Sequence, residues 1–210
     1  MRRAPLTTVR NRMARMLREI ADAPHERRLG ISTAAISWQF VDADLQNLPC
    51  DPVPYRTLAA IGRHMTAHGV AAPRFVDLGC GLGRPLYFFA SRFDDLRGYE
   101  LIAPIQAAAA DQLARVRTRR PGFDRILLTC ADATTAVSFD QPLVLFMYNP
   151  FGPKPMARLC ERLREARCEV YIYYVNPMLE GLITEAVGPR ADTFRSNFPV
   201  SYFHLRATAS

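Results

Sequence analysis

The chain has 210 residues, 49% hydrophobic and 22% charged, with a formal net charge of +7. That balance excludes an intrinsically disordered polymer, and no apolar run reaches the ~18 residues of a membrane-crossing helix. A chain of this length forms one large domain, or one domain with an extension, and buries roughly 70% of its unfolded surface.

Of the 27 basic residues, all but Lys154 are arginine. One reading is codon usage in a GC-rich genome; the other is a phosphate-rich or acidic partner. The arginines are spread along the chain, with clusters at 2–18 and 115–125, which weakens a nucleic-acid reading without removing it. The cysteines are Cys50, Cys80, Cys130, Cys160 and Cys168. Their odd number and the lack of a Cys-x-x-Cys pair argue against a zinc site or a secreted disulfide framework. Reduced thiols in a cytoplasm fit this set.

In chain order, residues 1–18 carry six arginines and no acid, with Met13, Met16, Leu17 and Ile20 at helical spacing. An organelle transit peptide has this character; so does a solvated amphipathic helix leading into a domain. The low serine content and the continuation of the pattern into Ala21 favour the helix. The stretch Leu48-Pro-Cys-Asp-Pro-Val-Pro54 is a loop, because three prolines in seven residues sustain neither helix nor sheet ladder. Residues 55–68 predict a helix, with Leu58, Ile61 and Met65 on one face. We divide the chain into a helical N-terminal extension (1–50) and a main domain (51–210).

From residue 74 short strands and helices alternate. Strands are expected at 74–78, 96–100, 125–130, 143–148 and 170–175. Helices are expected at 85–92, 105–119, 156–165 and 177–186, and the tail to 206 reads as one or two antiparallel strands. Pro85 sits where a first helical turn tolerates a missing N–H. The apolar run 143–148 has the character of a strand covered on both faces. Such alternation implies a mostly parallel sheet with helices on both faces. Ligands then lie outside the carboxyl ends of the strands.

At the first of those ends stands Asp77-Leu-Gly79-Cys80-Gly81-Leu-Gly83-Arg84. A dinucleotide loop requires Gly-x-Gly-x-x-Gly, and Arg84 occupies its third glycine position. The glycines here alternate instead, with an acid two residues before the first. Glu100 ends the second expected strand in Gly-Tyr-Glu, where an acid can accept ribose hydroxyls. Asp132, in Ala-Asp-Ala133, follows the third. Asn149-Pro150-Phe151-Gly152 follows the fourth.

This ordered series resembles the motifs of class I S-adenosylmethionine-dependent methyltransferases. The resemblance implies a Rossmann-like three-layer α/β sandwich with an antiparallel C-terminal strand, and S-adenosyl-L-methionine as cofactor. It further implies that Asp77 faces the cationic end of the cofactor, with Gly79, Cys80, Gly81 and Gly83 forming the loop. Glu100 and Leu101 would hold the ribose, and Asp132 and Ala133 the adenine.

Asn149-Pro150-Phe151 is similar to the Asn/Asp-Pro-Pro-aromatic motif of amino-group methyltransferases, with the second proline missing and the aromatic one place early. Asn149 would accept hydrogen bonds from an acceptor nitrogen. Pro52-Val-Pro54-Tyr55 and the Gly-x-Gly-Arg ending are similar to small bacterial methyltransferases of unassigned substrate. There Tyr55 would cover the cofactor or line the substrate pocket. A fainter likeness joins the chain to lysine methyltransferases of the seven-strand type. Protein, nucleic acid or a small molecule remain open as acceptors, as do a non-catalytic cofactor-binding protein and the oligomeric state.

No other catalytic pattern competes. His64 and His68 are spaced i, i+4 on one helix, as paired metal ligands are. No acid or cysteine lies at a completing sequence spacing, so they read as a helix-surface pair with no metal. His204 lies in an aromatic tail strand and reads as structural. The nucleophile elbow Gly-x-Ser-x-Gly and the phosphate loop ending in Gly-Lys-Ser/Thr do not occur.

Overall fold

A computed structural model describes residues 6–33 and 52–207. Cys50, Arg2, Arg3 and most of the proline-rich loop at 48–54 lie outside them. The chain opens in α1 (Leu6–Leu29) and α2 (Tyr55–Ala67). Strand and helix then alternate through β1 (Arg74–Leu78), α3 (Arg84–Phe89), β2 (Asp95–Glu100), α4 (Ala103–Val116) and β3 (Ile126–Cys130). There follow α5 (Ala133–Ala136), β4 (Leu143–Tyr148), α6 (Pro153–Glu165), β5 (Val170–Val175), α7 (Glu180–Val187), β6 (Asp192–Arg195) and β7 (Pro199–Leu205).

The seven strands form one sheet in the order β3-β2-β1-β4-β5-β7-β6. Pairings among β1 to β5 are all parallel. β7 runs antiparallel to β5, and β6 antiparallel to β7, so β6 shares the direction of the first five. This is the three-layer, mostly parallel sandwich that the alternation implies, with one reversed strand near the C-terminal edge.

Period-2 alternation sends successive side chains to opposite faces and so builds two cores. On one face Phe75, Phe146 and Tyr173 pack with Leu58, Ile61 and Met65 of α2 and with Leu86 and Phe89 of α3. On the other, Leu78, Leu145, Met147 and Ile172 pack with Met156, Leu159 and Leu163 of α6. Every residue of β1 and β5 is buried, as expected of strands covered on both sides. In α6 the buried Met156, Leu159, Cys160 and Leu163 fall at i, i+3, i+4, i+7, leaving its arginines to the outer face.

Strands 74–78, 143–148 and 170–175 coincide with expectation. Helix ends shift. α6 begins at Pro153, because proline is accommodated in a first turn, while α7 begins three residues later than expected. The short α5 carries no periodic signal and is initiated by its cap, Asp132. None of the described helices is long and apolar enough to cross a membrane. The apolar stripe Met13, Met16, Leu17 and Ile20 of α1 is exposed by more than half at each position.

Candidate functional site

β1 is flanked by β2 on one side and β4 on the other, and the chain departs from it in opposite directions. At such a switch point the loops leaving neighbouring strands diverge and open a crevice. Asp77, the loop 79–83, Glu100 and Asn149-Pro150 all emerge there.

The loop is built by local backbone geometry. Gly79, Gly81 and Gly83 all have positive φ, at 70°, 53° and 79°, a region that L-residues with a Cβ visit at a cost. The Gly79 and Cys80 N–H groups both donate to the Tyr99 carbonyl at 2.9 Å, tying the loop to β2. A Cβ on Gly79 would stand 2.7 Å from the Pro150 Cβ, so the β1 and β4 loops touch at that point. Cys80 is buried, and its Sγ would stand 2.8 Å from a Cβ on Gly98, which explains the glycine in β2 opposite it.

Asp77 is 2% exposed, and among the described residues its Oδ2 has no hydrogen-bond partner. Burial, reinforced by the nearby charge of Glu100, pushes its carboxyl well above the usual range. Glu100 is also buried, but it is engaged. Its Oε2 accepts from the Gly81 N–H at 3.0 Å and its Oε1 from the Ile102 N–H at 2.9 Å. Burial raises its pKa, and these backbone donors oppose the shift. Two buried carboxylates thus share one strand-end crevice, and the neighbouring charge acting on Asp77 is a like charge. A cationic, hydroxyl-bearing ligand would satisfy both.

Asp132 follows β3, beside Glu100 through the Ala131 N–H to Glu100 carbonyl bond of 3.1 Å. It caps α5, with Oδ1 accepting from the Thr134 N–H at 2.9 Å and its hydroxyl at 2.7 Å, while Oδ2 pairs with Arg158 at 3.0 Å. Partial burial works against its charge, yet the Thr134 and Arg158 bonds outweigh it and hold the carboxyl below its usual range. Ala133 is buried at the start of α5, and Leu101 is over a third exposed beside the Glu100 backbone.

Asn149 adopts a left-handed φ of 45°, a conformation that asparagine tolerates. Its Oδ1 accepts a hydrogen bond from the Tyr174 hydroxyl at 3.0 Å, and that hydroxyl accepts from the Leu179 N–H at 3.2 Å. Tyr174 therefore orients the amide, a contact with no signal in the sequence.

Tyr55 does not lie with these groups. It is 2% exposed, stacked on His25 of α1 at 4.8 Å, with the Arg84 guanidinium 4.8 Å from its ring centre. Arg84 opens α3 directly after the glycine loop and is itself buried. It bonds Asp22, Glu26 and Thr33 and the Val53 carbonyl. The sequence hint of this cluster is Asp22 and Glu26, two of the three acids of α1, spaced i, i+4 in a largely basic helix.

No protein-family model matches the chain, and no curated protein matches it in sequence. Solved structures do resemble it. A candidate RNA methyltransferase from Pyrococcus horikoshii superposes with a TM-score of 0.57 at 12% identity, over 83% of this chain and 94% of that one. An S-adenosylmethionine-dependent O-methyltransferase from Thermotoga maritima gives 0.55 at 13% identity, over 77% and 68%. A 16S rRNA N2 G1207 methyltransferase from T. thermophilus, solved with S-adenosylmethionine and guanosine, gives 0.56 at 18%, over 76% of this chain and 46% of that one. The chain therefore has the fold of these methyltransferases.

Proposed function

We propose that this protein is an S-adenosylmethionine-dependent methyltransferase acting on a nitrogen of a protein or another acceptor. The observation that carries the reading is the pair of buried carboxylates, Asp77 and Glu100, flanking a three-glycine turn at the switch point. Asp77 would face the cationic amino and sulfonium end. Glu100, already oriented by two backbone donors, keeps a further lone pair on each oxygen for the ribose hydroxyls. Leu101, Asp132 and Ala133 line the path expected for the adenine, Cys80 and the glycines form the floor, and Tyr55 supports the loop through Arg84.

When bound, S-adenosylmethionine supplies a methyl group on a good leaving group. The remaining task for the chain is alignment and desolvation of the nucleophile. Asn149, held by Tyr174, would accept an N–H of the acceptor, pointing its lone pair at the methyl carbon. The carbonyl of Asn149, preceding Pro150, offers a second acceptor. Cys80, Cys130, Cys160 and Cys168 form no disulfide among the described residues, which suits a cytoplasmic location.

Calorimetry with S-adenosylhomocysteine tests the cofactor site. Glu100→Ala removes acceptors worth about 1.5–3 kcal/mol each when charged, so affinity should fall about tenfold or more. Unchanged affinity removes Glu100 from the ribose role. Transfer of labelled methyl into fractionated protein and RNA tests activity and acceptor. Asn149→Ala should cut transfer at least tenfold with cofactor affinity retained; binding without any transfer by the wild type would favour a non-catalytic protein.

A further inference from the structure

The sequence offers His64 and His68 no third ligand; the fold does. α2 places both imidazoles on one face, one turn apart. β6, an edge strand of the sheet, begins at Asp192 directly beside them. Its Oδ2 lies 3.1 Å from His64 Nε2 and 3.6 Å from His68 Nε2, and the three ligand atoms all fall within 4.8 Å of one another. In a tetrahedron with metal–ligand bonds of 2.0–2.1 Å, neighbouring ligand atoms are about 3.3 Å apart. The two observed separations bracket that edge.

We propose that His64, His68 and Asp192 form a binding site for a divalent transition metal of the zinc class, which pins α2 to the edge strand β6.

The hydrogen bonds behind the three groups are those a metal site needs. His68 Nδ1 lies 3.1 Å from the His64 carbonyl oxygen. A carbonyl only accepts, so Nδ1 carries the hydrogen, and Nε2 is the nitrogen that faces the carboxylate and would ligate an ion. His64 Nδ1 meets the buried Tyr173 hydroxyl at 2.9 Å. The Thr193 N–H donates to Asp192 Oδ1 at 2.7 Å, leaving Oδ2 for the site. Each ligand is thus oriented by a contact on its far atom, the arrangement that fixes tautomer and direction in metal sites.

Access and ligand type agree. The His64 side chain is 7% exposed and locked between Tyr202 and Phe194, at ring distances of 4.8 and 4.6 Å. His68 and Asp192 are 43% and 42% exposed, so an ion can enter and water can fill a fourth position. The two imidazoles stack at 3.8 Å; binding turns the exposed His68 ring out of that stack toward the ion. Two imidazoles and one carboxylate suit zinc, and also cobalt as its spectroscopic substitute. The site lies at the β7–β6 edge of the sheet, apart from the crevice at β1, β2 and β4.

The test uses tag-free, full-length protein stripped with a chelator. Co2+ titration should give one equivalent of tetrahedral visible absorption, displaced by Zn2+, and Zn2+ should raise the melting temperature. His68→Ala and Asp192→Asn should each weaken Co2+ binding at least tenfold and abolish the Zn2+ melting shift. Asp192→Asn retains an oxygen for Thr193 and removes the charge, and His68 is half exposed, so neither opens the core. Three outcomes would each overturn the proposal: no saturable binding by the wild type, equal binding by both variants (metal on cysteines), or a variant effect on melting that is identical with and without metal (a proton-linked His–Asp pair).

Discussion

Asp77 pays for the site in stability. A folded-state pKa raised above the unfolded value means that the folded chain binds an extra proton between those two values. The carboxylate is therefore destabilising at neutral pH, and the loss is recovered as pH falls toward the ordinary carboxylate range. Asp77→Asn removes the buried charge. We expect its melting temperature at pH 7.5 to exceed that of the wild type, with S-adenosylhomocysteine binding lost in the same sample. A lower melting temperature would mean that the carboxylate is satisfied in solution. Glu100 differs in kind: its two backbone donors make it part of the loop's own scaffold, so removing it should loosen the glycine turn as well as the ligand.

Among elements, the junction of α1 with α3 buries an ionic cluster. Arg84 is 3% exposed and meets two acids of α1, Asp22 and Glu26, with Tyr55 against its face. Removing one member of a buried ionic cluster strands the others and typically costs about 3–5 kcal/mol, more than the intact cluster contributes. Arg84→Met should therefore lower urea stability by about that amount and expose residues of α1 near Asp22 to protease. Combining it with Asp22→Asn should recover part of the loss, because one stranded charge is gone. Full stability in the single variant would show that α1 does not dock through Arg84. The cluster also buries Tyr55 between His25 of α1 and the Arg84 guanidinium.

Across the whole molecule, acids with opposite shifts set the pH profile. Burial works against the Asp95 charge, but hydrogen bonds from Arg97 and Arg74 hold its carboxyl below the usual range. Asp140 is lowered chiefly by Arg74. The stability these two lend is present above their unfolded pKa, near 3.9, and is lost as pH falls through the folded values. Asp77 and Glu100 act in the other sense above that range. Melting temperature followed by circular dichroism from pH 8 to 3 should rise gently toward about pH 5 and fall below about pH 4. Asp95→Asn should flatten the acid limb. A slope between pH 8 and 5 that Asp77→Asn leaves unchanged would contradict the raised pair, since the lowered pKa of His64 works against it in the same window.

The sequence alone determined the local features. Strands 143–148 and 170–175 are legible because strands buried on both faces are continuous apolar runs, and 74–78 because it leads directly into the glycine turn. The glycine turn is legible because positive φ is a single-residue property. The acids at 77, 100 and 132 are placed by their distance from strand ends. Only the tertiary structure decided what depends on neighbours distant in the chain. It put β7 between β5 and β6, closed Asp22 and Glu26 on Arg84, set Tyr174 behind Asn149, and brought Asp192 to His64 and His68. A charge or a ligand seeks its partner through space, and sheet order, which fixes those distances, is decided by how the apolar faces of all the elements pack together and leaves no spacing in the sequence to read.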